Sequence, residues 1–126
     1  GLDEAAVHGT TEIAELKEDG TIERSTLTPA DLGAKRLYSI EEIKGGAPAD
    51  NALITEAILA GKGTEAQQAF VTANLALLLK IGGLAKSLPE AVELARRTMA
   101  SGKGLEVLNA HRAYAASHTA SSQKAA

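Results

Sequence analysis

Two adjacent carboxylates near the start of the chain, Asp3 and Glu4, are the residues whose possible chemistry is easiest to name. Mg²⁺ takes few oxygen ligands from a protein and completes its octahedral shell with water and substrate phosphate, so a carboxylate pair on irregular backbone can bind it. An acidic pair at such a position is more often a solvated part of the surface. From residue type alone, this interpretation is favoured over a metal site by about four to one. Composition therefore indicates a candidate magnesium site and leaves both readings open.

The remaining polar candidates are three histidines and two asparagines near apolar helix positions: His8, His111, His118, Asn51 and Asn74. His8 lies four residues after Glu4 and could neighbour a bound metal, although a loop histidine is more often simply exposed. The other two histidines have no pattern around them that indicates a role. For both asparagines we expect helix capping or a hydrogen bond within the core.

Glycines beside helices, at 45–46, 61–63 and 102–104, are typical of phosphate-binding loops at first sight. None of them follows an apolar strand, and none is followed by the Lys-Ser or Lys-Thr pair of a nucleotide-binding loop. We therefore interpret them as helix stops. The sequence also shows no nucleophilic serine motif and no paired general acid and base.

One hairpin and a series of helices must position these residues. Alternating apolar and polar residues over 10–28, around a turn that contains Gly20, predict a β-hairpin. Residues 39–116 are expected to be helical, and the helix that begins near Thr64 and contains the apolar stretch 75–81 is expected to be central. The Ala/Ser-rich tail 117–126 is expected to be disordered. Helix starts are indicated by a Ser or Thr followed three residues later by Glu or Gln, at Ser39, Thr64 and Ser87.

Composition restricts the class of protein. The chain has 126 residues, 44% hydrophobic, 23% charged and only 2% aromatic, so its core must be packed from small aliphatic side chains. Few aromatic rings and a net charge of -3 argue against nucleic acid as a partner. The absence of cysteine excludes disulfides and thiolate sites and is compatible with a cytoplasmic location. No apolar run approaches the roughly 20 residues of a membrane span, so no membrane partner is expected.

The start of the chain and the isolated hairpin predict that further strands precede residue 1. The sequence opens without Met or a basic leader, and a two-stranded hairpin is marginal in water unless other elements pair with it or cover it. We expect residues 1–116 to be the carboxy-terminal portion of a mixed α/β domain. In this chain that portion would be helix-rich, with one β-hairpin and about five helices.

The ordered set of motifs resembles the carboxy-terminal part of the anthranilate phosphoribosyltransferase family. The matching segments follow the family's order from residue 1 to about residue 114: Gly1-Leu2-Asp3-Glu4, Gly9-Thr10-Thr11, Glu15-Leu16, Thr28-Pro29-Ala30-Asp31-Leu32-Gly33, Gly45-Gly46, Asn51-Ala52, Ile58-Leu59-Ala60-Gly61, Asn74, Ser101-Gly102-Lys103-Gly104 and Leu108. The resemblance implies the α/β fold shared by nucleoside phosphorylases and phosphoribosyltransferases of this class.

The resemblance also implies an activity: transfer of the phosphoribosyl group from phosphoribosyl pyrophosphate to anthranilate in tryptophan biosynthesis, with Mg²⁺ as cofactor. It implies that Asp3 and Glu4 bind one magnesium ion at the diphosphate. The family's phosphate loop and anthranilate contacts lie upstream of this segment, so no substrate-binding residue is assigned and the isolated chain is expected to be inactive. The expected protein partners are the missing amino-terminal part and, in the complete enzyme, a second copy in a homodimer.

Three other functions remain open at this point. A non-catalytic relative with the same fold could act as a binding protein, and its upstream half would lack a glycine-rich phosphate loop. A pyrimidine nucleoside phosphorylase would share the architecture, but the pair Asp3 and Glu4 favours a pyrophosphate-dependent transferase. A self-sufficient helical interaction module is disfavoured by the unpaired hairpin.

Overall fold

The computed structural model describes residue 2 and residues 4–123, the last five of them by their backbone alone. This part of the chain forms one two-stranded antiparallel sheet and five helices. The elements are β1 (Thr11–Leu16), β2 (Ile22–Leu27), α1 (Ile40–Ile43), α2 (Pro48–Leu59), α3 (Glu65–Ile81), α4 (Leu88–Ala100) and α5 (Lys103–Gln123). The prediction of a helix-rich α/β chain with one hairpin and about five helices is confirmed.

The hairpin forms where the alternating pattern predicted it. Leu16 pairs with Ile22 at the turn end of the two strands, and the backbone N–H of Lys17 donates to the carbonyl of Thr21 at 2.9 Å. Gly20 takes a φ of 84°, a left-handed conformation that other residues adopt at a cost. A glycine at this position therefore closes the turn.

Local capping signals fix where the long helices begin. The hydroxyl of Thr64 accepts a hydrogen bond from the backbone N–H of Gln67 at 3.2 Å, and Ser87 accepts one from Glu90 at 3.4 Å. Each bond satisfies a donor that has no partner inside the helix. The helix starts predicted for α3 and α4 are confirmed.

The core consists of two clusters of buried side chains that share α3. The first joins α3 to the segment before the hairpin and to the loop before α1: Ala5, Val7, Leu32, Tyr38, Ala66 and Ala73. The second joins α3 to α4: Ala76, Ala85, Ala91, Val92 and Ala95. Seven of these eleven residues are alanine, so the elements pack closely over small side chains, as the low aromatic content predicted.

The prediction that α3 is central is confirmed, since it contributes to both core clusters, but two large side chains near its end are not covered. Leu78 is 67% exposed and Ile81 is 82% exposed. The alanines of α3 face the two core clusters, while the described residues leave these two large side chains uncovered. The apolar pattern indicated which side chains are suited to burial, and it could not indicate which of them this chain covers.

The last helix extends further than the sequence indicated. Helix α5 continues to Gln123, so residues 117–123 are helical where a disordered tail was predicted from residue 117. This stretch contains no Gly or Pro to end a helix, which accounts for the difference. Residues 124–126 lie outside the described part of the chain. Among the described helices, none combines the length and apolar character needed to cross a membrane.

Candidate functional site

The predicted magnesium carboxylates lie where the chain passes from solvent into the core. Glu4 is exposed, whereas the next three residues, Ala5, Ala6 and Val7, are only 3%, 8% and 0% exposed. Asp3 lies outside the described residues. The carboxylate of Glu4 is therefore accessible to a ligand while the backbone that follows it is buried.

A side chain from α3 holds the first buried residue of this segment. The Oδ1 atom of Asn74 accepts a hydrogen bond from the backbone N–H of Ala5 at 2.9 Å, and the Nδ2 atom donates to the carbonyl of Ala5 at 3.2 Å. Nδ2 also donates to the carbonyl of Phe70, one helical turn earlier, at 2.9 Å. One amide therefore binds both backbone groups of the residue that follows Glu4.

Two further hydrogen bonds hold the rest of the segment. The backbone N–H of Ala6 donates to the hydroxyl of Thr11, at the start of β1, at 2.9 Å. The backbone N–H of Tyr38 donates to the carbonyl of Val7 at 3.1 Å. The segment that carries Glu4 is thus attached to α3, to the hairpin and to the loop before α1.

An ion-pair network fixes the hairpin to the same helix. The Nζ atom of Lys80, in the last turn of α3, lies 2.9 Å from Oε1 of Glu15 on β1, and Nζ of Lys17 lies 2.9 Å from Oε2 of the same carboxylate. Hydrogen bonds from Lys17 and Lys80 lower the pKa of Glu15. Helix α3 therefore contacts both the Glu4 segment through Asn74 and the hairpin through Lys80.

The donor set suits a magnesium ion held largely by water and a ligand's phosphates. Among the residues that the structure describes, there is no cluster of three or more His, Asp or Glu side chains that could enclose a metal ion. Mg²⁺ does not need one, because it is commonly bound through one or two carboxylates and keeps several waters. An exposed Glu4 on anchored backbone fits this mode of binding. His8 is also exposed, and its role as a metal neighbour stays a prediction.

The remaining sequence candidates have structural roles or lie on α5. Asn51 binds the backbone of Gly46, accepting from its N–H at 2.7 Å and donating to its carbonyl at 3.1 Å. The hydrogen-bonding role predicted for both asparagines is confirmed. His111 is exposed on α5, and the ring of His118 stacks on Tyr114 with a centroid separation of 3.9 Å.

Two of the glycines beside helices, Gly61 and Gly102, have the predicted role. Gly61 and Gly102 adopt positive φ angles of 72° and 75° directly after α2 and α4. A left-handed residue at this point ends a helix and directs its last carbonyl groups to other donors. The interpretation as helix stops is confirmed for Gly61 and Gly102, whereas Gly104 lies inside α5.

A cavity of about 490 Å³ lies between the loop before α1 and helices α3 and α4. Its lining includes Tyr38, which is 3% exposed and whose hydroxyl has no hydrogen-bond partner among the described residues. The guanidinium of Arg36 lies over the Tyr38 ring, 4.1 Å from its centroid. Sequence reasoning assigned no function to this loop, although the segment Thr28-Pro29-Ala30-Asp31-Leu32-Gly33 at its start is part of the family resemblance.

Comparison with known proteins identifies the relatives of this chain. Anthranilate phosphoribosyltransferase from Tolumonas auensis is 54% identical over 106 residues, which cover 84% of this chain and 31% of that protein. The enzyme of the same name from Shewanella putrefaciens is 51% identical over 109 residues, covering 86% and 31%, and that from Colwellia psychrerythraea is 49% identical over 108 residues, covering 86% and 29%. The chain therefore spans about a third of the length of these curated relatives.

A family model provides the assignment. The model described as the glycosyl transferase family, a/b domain, matches residues 1–105, which include the Glu4 segment, the hairpin and helices α1 to α4. This match covers most of the 126 residues. The chain belongs to the glycosyl transferase family, and residues 1–105 correspond to that family's a/b domain.

Proposed function

We propose that this chain supplies the magnesium-binding carboxylates of an enzyme that transfers the phosphoribosyl group from phosphoribosyl pyrophosphate to anthranilate in tryptophan biosynthesis. The observation that carries the proposal is the position of Glu4, exposed at the end of a backbone segment that three other parts of the chain hold in place. The relatives named anthranilate phosphoribosyltransferase support the same reaction.

The physical chemistry of the reaction explains why such a site is useful. Pyrophosphate leaves a ribosyl carbon that becomes oxocarbenium-like, and a bound Mg²⁺ would stabilise the charge that develops on the leaving group. The carboxylates of Asp3 and Glu4 would hold the ion, since hard oxygen ligands suit it. Because Ala5 and Val7 are buried, little reorganisation of the Glu4 backbone would be needed when a substrate binds. In this proposal the chain contributes no nucleophile.

The proposal includes the rest of the enzyme as a partner. The exposed side chains of Leu16, Ile22, Leu78 and Ile81 are 62–82% accessible, and surfaces of this kind are suited to burial against further protein. We assign that role to the amino-terminal part of the same protein, with a homodimer as the complete assembly and the cytoplasm as its location. The relatives' greater length supports the first of these assignments.

A chimera tests the proposed function directly. Residues 1–105 would replace the matching segment of the Tolumonas auensis enzyme, and consumption of anthranilate would be followed by its fluorescence with phosphoribosyl pyrophosphate and Mg²⁺ present. We expect turnover by the chimera and none by the 126-residue chain alone. A chimera with native circular dichroism and no turnover would contradict the proposal, and turnover by the isolated chain would contradict the need for a partner.

A further inference from the structure

We infer that Asn74 is a positioning residue for the magnesium site, acting through the backbone of Ala5 on the carboxylate of Glu4. The inference rests on the proposed function, because it assumes that Glu4 binds the ion. It adds a residue that lies 69 positions away in the sequence from the one it holds. Its action is indirect, since its contacts are with backbone atoms.

The hydrogen bonds of Asn74 involve both the oxygen and the nitrogen of its amide. Oδ1 accepts from Ala5 N–H, and the two hydrogens of Nδ2 are donated to the carbonyls of Ala5 and Phe70. The bond to Phe70 lies within α3 and fixes the orientation of the amide. The other two bonds therefore hold Ala5 at a defined place against the helix.

This arrangement acts on Glu4 because of peptide geometry. The N–H of Ala5 and the carbonyl of Glu4 belong to one planar peptide group, so holding that N–H fixes the plane from which the Glu4 Cα extends. The bond to the Ala5 carbonyl fixes the next peptide plane in the same way. A carboxylate placed in this way loses less conformational freedom when it binds a metal ion.

The position of Asn74 inside α3 also indicates that this residue serves the contact with the Glu4 segment and not the helix itself. Asparagine is a weak helix former, since its side chain competes for backbone hydrogen bonds, and alanine occupies the neighbouring helix positions 73 and 76. Alanine at 74 would favour the helix itself and would leave the Ala5 N–H and carbonyl without these partners. The asparagine therefore serves the contact with the Glu4 segment.

The chain contains a matched control in Asn51, which binds the N–H and the carbonyl of Gly46 in the same manner. The test uses the ¹⁵N-labelled 126-residue chain with pyrophosphate in excess, to supply the phosphate oxygens, and with Mn²⁺ as a paramagnetic probe for the magnesium site. Broadening of the amide signals of residues 4–8 is titrated in the wild type, in Asn74→Ala and in Asn51→Ala. Asn74→Gln, which keeps the amide on a longer side chain, serves if Asn74→Ala does not fold.

We expect Mn²⁺ to bind about tenfold more weakly to the Asn74 variant, in the range typical for loss of an outer-shell partner, while Asn51→Ala binds as the wild type does. Equal affinity in the wild type and the Asn74 variant would overturn the inference and leave the proposed function standing. Equal weakening in both variants would also overturn it, because general loosening would then explain the loss. If the wild type shows no broadening near Glu4, the magnesium role fails together with the inference.

Discussion

Truncation of Val7 tests whether the segment that carries Glu4 belongs to the core. Val7 is 0% exposed and is one of the two largest fully buried side chains among the described residues. Val7→Ala removes two methyl groups, worth about 1.6 kcal/mol at about 0.8 kcal/mol for each buried carbon. The cavity that remains adds a smaller amount, so we expect the free energy of unfolding to fall by about 2 kcal/mol.

The same loss sets the expected change in melting temperature. Unfolding entropy near 2.1 cal/mol/K per residue gives about 0.26 kcal/mol/K for a chain of 126 residues. A loss of about 2 kcal/mol therefore lowers the melting temperature by about 8 °C. Far-UV circular dichroism during urea and thermal unfolding measures both quantities, and it suits a chain that has five helices and no Trp.

Val107→Ala is the matched control, since it makes the same chemical change at a position on α5 that is 69% exposed. Alanine favours a helix more than valine does, so we expect no loss and a gain of up to about 0.5 kcal/mol. If Val7→Ala unfolds within about 0.5 kcal/mol of the wild type, as surface substitutions do, Val7 is not packed in the core. The anchoring of Glu4 would then be refuted.

Two further predictions concern the loop before α1 and the pH dependence of stability. Gly33→Ala should lower stability by about 2–4 kcal/mol, because Gly33 has a φ of 85° and a Cβ there would lie 2.5 Å from Cγ1 of Val92. Gly61→Ala, left-handed but in open space, should cost only about 1–2 kcal/mol, and equal urea midpoints for the two variants would contradict the packing. A hydrogen bond from Arg36 lowers the pKa of Glu42 from 4.5 to about 2, so its stabilisation is present above pH 4.5 and lost as the pH falls to about 2. Urea unfolding should show Glu42→Gln less stable than the wild type at pH 6 and equal to it near pH 2, and a constant difference would contradict this.

Local signals in the sequence predicted most of the elements. The turn at Gly20 and the caps at Thr64 and Ser87 each depend on residues within a few positions of one another, so the local sequence is sufficient to predict them. Local signals do not predict the hydrogen bonds of Asn74. They join residues 69 positions apart, and no pattern along the chain connects an asparagine in a helix to the backbone of Ala5.

The apolar patterns gave less reliable predictions of burial. Ile81 ends the apolar stretch of α3, and it is 82% exposed although α3 itself packs into both core clusters. Met99, an apolar residue of α4, is only half-buried and lines the cavity beside α3. Hydrophobicity determines which side chains gain free energy from burial, but the neighbours that bury them are set by the tertiary structure.

The magnesium assignment depended on the resemblance more than on physical pattern. By residue type alone, Asp3 and Glu4 are interpreted as a solvated acidic pair. The structure shows in addition that Glu4 is exposed and that the backbone following it is held by Asn74. Among the described residues, neither burial nor a cluster of ligands marks the site, and Mg²⁺ would not require them, since it takes much of its coordination shell from water and substrate. Measurement of metal dependence is therefore the direct test.

That measurement is a magnesium titration of turnover in the chimera that carries residues 1–105. Glu4→Gln keeps the size of the side chain and removes its charge, and Glu18→Gln makes the same change in the exposed hairpin turn. We expect Glu4→Gln to need at least about 10-fold more Mg²⁺ for half-maximal turnover, because loss of an outer-shell partner alone has an effect of this size, and to turn over more slowly. Glu18→Gln should match the unmodified chimera. A Glu4→Gln chimera with an unchanged magnesium titration and an unchanged rate would contradict the proposed role of this segment.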